Sequence, residues 1–224
     1  SRICLAKLEK TIINILLNEM GIYQSEFGFP MTRHEINYLN GNLQLAKKGV
    51  LKPIILSGWI RAIRKDVESA FKFVPEIKHL NLSISTSDQM IQGKFGGKKT
   101  RRDIIEEMTD AVDLAYDKGA KVVGVNAEDA SRSDLDYLIE FSEAAKEHGA
   151  KRIRYCDTLG YDDPFTIYSR VKDLAENIKL PIELHTHNDL GMAVACSVAG
   201  AKGAIDAGVD AYVNTTVNGI GERA

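Results

Sequence analysis

The sequence predicts an α/β protein, a TIM-type (β/α)8 barrel whose first strand and last helix are missing from the 224 residues. Short apolar, β-branched segments alternate with amphipathic helical segments, a pattern typical of a parallel sheet. Seven such strands occur and the chain begins with a helix, whereas a complete barrel typically needs about 250 residues. An open doubly wound sheet would alternate in the same way, but its glycine-rich first turn is absent from the sequence.

The individual elements follow from local signals along the chain. The first segment is interrupted by charged residues such as Lys7 and Glu19, so it reads as an amphipathic helix and not as a signal peptide. Glycine is expected to end three helices, and Ser133 and Asp163 are expected to cap two helix N-termini. The predicted strands are 22–29, 53–60, 79–85, 121–127, 152–157, 181–187 and 211–217. The clearest predicted helices are 101–118, 133–148, 164–178 and 192–207, and the C-capping glycines are Gly119, Gly149 and Gly208.

Composition limits the classes of partner. The 29 basic and 31 acidic residues give a net charge of −2, so the chain has no excess of positive charge to attract nucleic acid or an anionic membrane. No apolar run approaches the roughly 20 residues of a membrane span. The three cysteines are widely spaced and form no disulfide framework, which favours a reducing cytoplasm. We therefore expect a cytoplasmic protein that acts on small molecules.

Two histidines end the sixth predicted strand, in the stretch PIELHTH at 181–187. His185 and His187 are two residues apart, so on a strand they point to the same side. Two imidazoles on one face can supply two nitrogen ligands to a single divalent metal ion. The alternative is a pair of hydrogen-bonded polar residues on a loop. Because a catalytic metal normally needs about three protein ligands, the pair predicts half of a metal site.

Other polar residues collect at the strand ends, where a (β/α)8 barrel carries its chemistry. For each carboxylate among them, an ion pair with a nearby Lys or Arg is the alternative to an active-site role. Thr158 could equally cap the turn that follows it. The basic segment 93–100, GKFGGKKT, departs twice from the phosphate-loop pattern and is predicted to be a solvated flexible loop. Contact with a phosphate group at the barrel mouth is the alternative. The candidates are Glu26, Arg61, Asn126, Glu128, Thr158 and Glu183.

Four stretches together resemble one family, the metal-dependent acyl-CoA condensing enzymes and lyases. They are EDASRSDLDYL from residue 128, DTLGYDDPF from 157, ELHTHNDLGMA from 183 and NTTVNGIGERA at 214–224. The family includes isopropylmalate, homocitrate and citramalate synthases and hydroxymethylglutaryl-CoA lyase, and the resemblance runs from Ser1 to Ala224. Within it, the stretches at 58–62, 127–134 and 213–224 are most similar to the homocitrate synthase branch associated with nitrogen fixation.

The resemblance implies a (β/α)8 barrel that condenses acetyl-CoA with a 2-oxo acid, 2-oxoglutarate in the homocitrate synthases. A divalent metal (Mg, Mn or Zn) would be held by His185 and His187 and would polarise the ketone. The alternatives are the synthesis of isopropylmalate or citramalate, the cleavage of a carbon–carbon bond by a lyase, and a barrel without catalytic activity. The residues carried over as catalytic are Glu26 and Glu128, and those expected to contact substrate are Asn126, Thr158 and Glu183. Arg61 is our own candidate for a distal substrate carboxylate, inferred from its strand-end position.

The chain also departs from the family pattern. The family's Arg-Asp-Gly-Glu-like motif, which offers a metal ligand and a catalytic arginine, has no counterpart in the sequence. Gly124 stands where the lysine-pathway homocitrate synthases carry an arginine, so a different group must hold a distal carboxylate. We therefore expect residues 1–224 to be a partial catalytic barrel domain whose remaining metal ligands lie beyond both ends. The unpaired edges of the sheet would have to be covered by a segment outside residues 1–224 or by a second subunit, and a homodimer is expected.

Overall fold

The computed structural model describes residues 4–221, in which seven parallel strands alternate with α-helices. The strands hydrogen-bond in sequence order, β1 to β7, and each neighbouring pair is parallel. The strands are β1 Gln24–Gly28, β2 Ile55–Arg61, β3 His79–Ser85, β4 Val122–Glu128, β5 Arg152–Asp157, β6 Ile182–Thr186 and β7 Ala211–Val213. The helices are α1 Lys7–Glu19, α2 Arg33–Lys47, α3 Arg64–Phe73, α4 Asp88–Phe95, α5 Arg101–Asp117, α6 Leu135–Glu147, α7 Pro164–Ile178 and α8 Ala193–Asp206.

The sheet is strongly curled, because side chains of β1 and β5 meet across its concave face. Arg154 on β5 donates to Glu26 on β1 at 2.6 Å, and Arg152 donates to Gln24 at 3.0 Å. In a flat sheet, four strand spacings would separate these strands by about 19 Å, far beyond the reach of an arginine. The ring of Tyr23, just before β1, also stacks on the ring of Tyr212 in β7 at 5.5 Å. The predicted TIM-type barrel fold is therefore confirmed.

Most local predictions agree with the structure, but the predicted N-cap of α6 needs correction. Asp163 accepts from the backbone N–H groups of the α7 first turn, as predicted. The N-cap of α6 is Asp134, whose side chain accepts from Tyr137 N at 3.0 Å, and not Ser133. Ser133 instead hydrogen-bonds the buried Thr86 at 2.8 Å. The predicted C-capping glycines all have positive φ angles, of 102° at Gly119, 94° at Gly149 and 81° at Gly208.

The last strand is shorter than the sequence indicates. β7 ends at Val213 and not at residue 217, and residues 214–221 form a loop at the end of the sheet. Asn218 and Gly219 have φ angles of 52° and 70°, which extended strand backbone cannot adopt. The β-branched composition of this segment is therefore overridden by its turn residues. The last residues of the NTTVNGIGERA stretch, 222–224, lie outside the described residues.

The two faces of the sheet differ in character. The outer face carries buried aliphatic residues such as Val123 and Val125, which pack under helices through residues such as Met108. The concave face carries buried polar and charged groups, including Asn81 and Arg152, well below the strand ends. Strand interiors are thus more polar than the sequence suggested. Within the range 4–221, no helix combines the length and the apolar character required to span a bilayer.

Candidate active site

A cavity of about 640 Å³ opens at the carboxyl ends of the strands. In a barrel these ends face one common mouth, so side chains distant in sequence converge there. Six of the residues singled out from the sequence line this cavity. They are Glu26, Asn126, Glu128, Thr158, His185 and His187.

The two histidines face each other inside the cavity. His185 Nε2 lies 3.2 Å from His187 Nε2, and the two rings meet edge to face. His185 Nδ1 lies 2.7 Å from Asn214 Oδ1, an acceptor, so Nδ1 carries the proton. The lone pair of His185 Nε2 is therefore directed at His187. Burial lowers the pKa of His185, and the nearby positive charge of Arg154 adds to this, so the imidazole is neutral at neutral pH.

This arrangement fits a divalent metal ion. Nitrogen atoms 3.2 Å apart can both reach one ion at the roughly 2.0–2.1 Å of a metal–imidazole bond. A second hydrogen bond that fixes the tautomer, here from Asn214, is the usual support of a histidine ligand. For residues 4–221, the structure gathers no group of three or more His, Cys, Asp and Glu residues suited to a metal. The described residues thus supply a two-nitrogen half-site.

Glu128 ends β4 at the rim of the cavity. Ser85 Oγ donates to its Oε2 at 2.6 Å, and Lys94 Nζ lies 2.8 Å from the same oxygen. None of the described residues donates a hydrogen bond to Glu128 Oε1. The carboxylate is therefore fixed through one oxygen while the other remains available to a ligand in the cavity.

Glu26 lies deeper, on β1, and both of its oxygens accept hydrogen bonds. Arg154 donates to Oε1 at 3.2 Å and to Oε2 at 2.6 Å, and Asn81 Nδ2 donates to Oε2 at 2.6 Å. Burial by itself raises the pKa of Glu26, but the charge of Arg154 and these hydrogen bonds outweigh it and lower the pKa. Glu26 is therefore held as a carboxylate.

Thr158 follows β5 and contacts a strained segment. Its Oγ1 accepts from the backbone N–H of Asp129 at 2.9 Å. Asp129 has a φ of 64°, an unusual conformation for a non-glycine residue, and its buried carboxylate pairs with Arg132. This contact fixes the residue that directly follows Glu128, so Thr158 links the ends of β4 and β5.

Two of the singled-out residues do not line the cavity. The guanidinium of Arg61 pairs with the fully buried Asp66 through two hydrogen bonds of 2.7 and 2.8 Å, at the first turn of α3. Glu183 lies beneath the cavity, with Arg154 Nη2 2.8 Å from its Oε1 and Arg152 Nε 2.8 Å from its Oε2. A substrate contact by Arg61 would require this ion pair to break, and Glu183 is buried by its two arginines.

Two residues of the site, Arg154 and Lys94, were missed by reasoning from sequence. Arg154 lines the cavity, and Lys94 pairs with Glu128. A signal existed for Arg154, because charged residues at alternate positions of a buried barrel strand must point to its interior. No comparable signal existed for Lys94, because residues 93–95 belong to α4 and not to the predicted loop.

Comparison with known proteins gives a consistent family. A relative from Dehalococcoides mccartyi (strain CBDB1), named citrate (Re)-synthase, is 66% identical over the whole chain, which covers 54% of that protein. 2-Isopropylmalate synthase 2 of Caldanaerobacter subterraneus subsp. tengcongensis is 44% identical over 98% of this chain and 53% of its own length. Homocitrate synthase 1 of Nostoc sp. is 38% identical over 96% of this chain and 54% of its own length. The similarity therefore does not single out the nitrogen-fixation homocitrate synthases.

The chain spans about half the length of the curated relatives it matches. Among solved structures, hydroxymethylglutaryl-CoA lyase from Pseudomonas aeruginosa superposes with a TM-score of 0.75 over 96% of this chain and 71% of that one. The sequence identity is 13%, so this likeness concerns the fold alone. A family model described as HMGL-like matches residues 4–224. The chain therefore belongs to the HMGL-like family.

Proposed function

We propose that the complete protein containing this chain condenses acetyl-CoA with a 2-oxo acid in a metal-dependent, Claisen-type reaction. The observation that carries the proposal is the pair His185 and His187, with nitrogens 3.2 Å apart at the barrel mouth and one tautomer fixed by Asn214. The relatives add support, because citrate, isopropylmalate and homocitrate each arise when an acetyl methyl carbon adds to the ketone of a 2-oxo acid.

The residues of the cavity divide into two roles in this proposal. A divalent ion at the two histidines would supply Lewis acidity toward the ketone and carboxylate oxygens of the 2-oxo acid. Glu128 is the candidate proton-transfer group, because Oε2 is fixed by Ser85 and Lys94 while Oε1 can exchange a proton with the acetyl methyl group. Glu26 is a poor base, since its pKa is lowered and both oxygens are occupied. Its role is to hold Arg154.

For the 2-oxo acid, we propose oxaloacetate, the four-carbon dicarboxylic acid that yields citrate. The support is the 66% identity to a protein named citrate (Re)-synthase, against 38% to a homocitrate synthase. The sequence stretches that favoured 2-oxoglutarate carry less weight than this whole-chain similarity. Both acids are dicarboxylic, so either one brings a second carboxylate into the cavity.

The test is thiol release from acetyl-CoA by the complete protein in the presence of Mg²⁺ or Mn²⁺. We expect release with oxaloacetate, and none without a 2-oxo acid. Release only with 2-oxoglutarate would restore the homocitrate assignment, and release only with 2-oxoisovalerate or pyruvate would contradict a dicarboxylic substrate. Cleavage of hydroxymethylglutaryl-CoA without any condensation would indicate a lyase and contradict the synthase assignment. The His185→Ala variant is the control for metal dependence.

A further inference from the structure

The barrel interior contains a compact ionic cluster made of Arg152, Arg154, Glu26 and Glu183. Arg154 bridges the two glutamates, at 2.6 Å from Glu26 and 2.8 Å from Glu183, while Arg152 lies 2.8 Å from Glu183. The two positive and two negative charges of the cluster sum to zero. Of the two arginines, only Arg154 is among the residues lining the cavity.

Arg154 still has hydrogen-bonding capacity. A guanidinium carries five N–H donors. Three bonds are formed, one from Nη1 and one from Nη2 to Glu26, and one from Nη2 to Glu183. Arg154 Nε, which is buried, has no acceptor among residues 4–221, and Nη1 makes only the one bond, of 3.2 Å. Buried donors without acceptors are costly, so an acceptor brought in by a ligand would be stabilised here.

The position of Arg154 suits the far end of a bound 2-oxo acid. In the strand register Cys156 pairs with His185, and Arg154 pairs with Glu183. Arg154 is therefore two residues, or about 7 Å, deeper along the barrel than the level of His185. An acid held by its ketone near the histidines would direct its other end down toward the guanidinium.

Two other positions that could supply a cation to the cavity, Arg61 and residue 124, do not do so. Arg61 is bound to Asp66 and does not line the cavity. At Gly124, where a side chain could have projected inward, an added Cβ would lie 2.5 Å from Asn81 Oδ1 and 3.1 Å from Arg152 Nε. That space is filled by the neighbouring strands. Within the described cavity lining, Arg154 is the residue with a permanent positive charge.

We propose that Arg154 binds the second carboxylate of the 2-oxo acid and thereby selects dicarboxylic over monocarboxylic substrates. This inference rests on the proposed function and adds the residue that sets its specificity. The carboxylate would accept from the guanidinium N–H groups that the glutamates leave unused, a charge-assisted contact. A monocarboxylic acid would leave those donors unpaired, which is a strong basis for discrimination.

The test compares two acids that differ only at the far end, oxaloacetate and 2-oxobutyrate, by calorimetric dissociation constants with Mg²⁺ in the complete protein. The variants are Arg154→Lys and the charge-balanced pair Arg154→Gln with Glu183→Gln, which removes one charge of each sign. We expect the preference for oxaloacetate to fall about 10- to 100-fold, mainly through weaker oxaloacetate binding. The matched controls are Arg152→Lys and Arg152→Gln with Glu183→Gln, in which the preference should change less than about threefold.

Two results would overturn the inference. One is an equal loss for both acids in the Arg154 variants, which would indicate a purely structural role. The other is an equal shift of the preference in the Arg152 controls. Lack of condensation by the wild-type protein would contradict only the proposed function, because the dissociation constants still report on Arg154. If 2-oxoglutarate is the substrate, the matched pair becomes 2-oxoglutarate and 2-oxovalerate.

Discussion

The buried carboxyl group of Asp162 should make the protein less stable as the pH rises. Asp162 is 2% exposed, and its Oδ2 accepts from the Tyr155 hydroxyl at 2.7 Å. Its Oδ1 has no hydrogen-bond partner in the part of the chain that the structure describes. Burial raises the pKa of Asp162 from 3.8 to about 6, and the hydrogen bond from Tyr155 offsets only part of this effect.

The magnitude follows from the difference between the two pKa values. Below pH 3.8 the group is protonated in both the folded and the unfolded chain, so it contributes no pH dependence. Between pH 3.8 and about 6 the unfolded chain loses this proton while the folded chain keeps it. The unfolding free energy therefore falls over this window by up to about 3 kcal/mol, at about 1.4 kcal/mol per pH unit, and levels off above it.

Asp162→Asn removes this titration. Urea unfolding followed by circular dichroism at pH 4 to 7 gives the unfolding free energies of variant and wild type. The variant-minus-wild-type difference should rise by about 2 kcal/mol between pH 4 and pH 6.5, whatever constant offset the amide introduces. A difference that stays flat within about 0.5 kcal/mol would refute the reasoning from burial.

The neighbouring residue Asp163 provides a control of opposite sign. It caps α7, and hydrogen bonds from the Thr166 side chain and from the backbone of Thr166 and Phe165 lower its pKa. A lowered pKa stabilises the fold above the unfolded value, and this stabilisation is lost as the pH falls. For Asp163→Asn the variant-minus-wild-type difference should therefore decrease as the pH rises.

Three further variants test the site and its support. His185→Ala should abolish metal binding and metal-dependent thiol release. The thermal midpoint of the metal-free protein should move by less than about 4 °C. Metal binding that is retained in the variant would exclude His185 as a ligand. Gly124→Ala should destabilise the protein by about 1–3 kcal/mol in urea unfolding, because the new Cβ would lie 2.5 Å from Asn81 Oδ1. An unchanged unfolding midpoint would show that the neighbouring side chains move to make room. Arg61→Ala should lower the unfolding free energy by about 1–3 kcal/mol, because the buried Asp66 loses its partner. The substrate KM should stay within about twofold of wild type. A larger rise in KM would indicate that Arg61 contacts the substrate.

Sequence alone determined the architecture and the histidine pair. Alternation of β-branched strands with capped amphipathic helices is a local property, so it could be read without knowing which strands are neighbours. The spacing of His185 and His187 likewise places both imidazoles on one side of one strand. The carboxyl ends of parallel strands share one edge, so the strand pattern was enough to predict Glu128 and Thr158 at the same mouth.

Tertiary structure decided which charges face the cavity. Arg154 meets Glu26 across 128 residues of sequence because the sheet curls enough to bring β1 opposite β5. That curvature accumulates over several strand pairs, and no local pattern reports it. Arg61 and Glu183 had the same strand-end signals as the cavity residues, yet Arg61 is paired with Asp66, five residues along the chain, and Glu183 is paired with an arginine of the neighbouring strand. Local periodicity therefore predicted the scaffold and the histidine pair, while the curvature of the sheet placed Arg154 at the cavity.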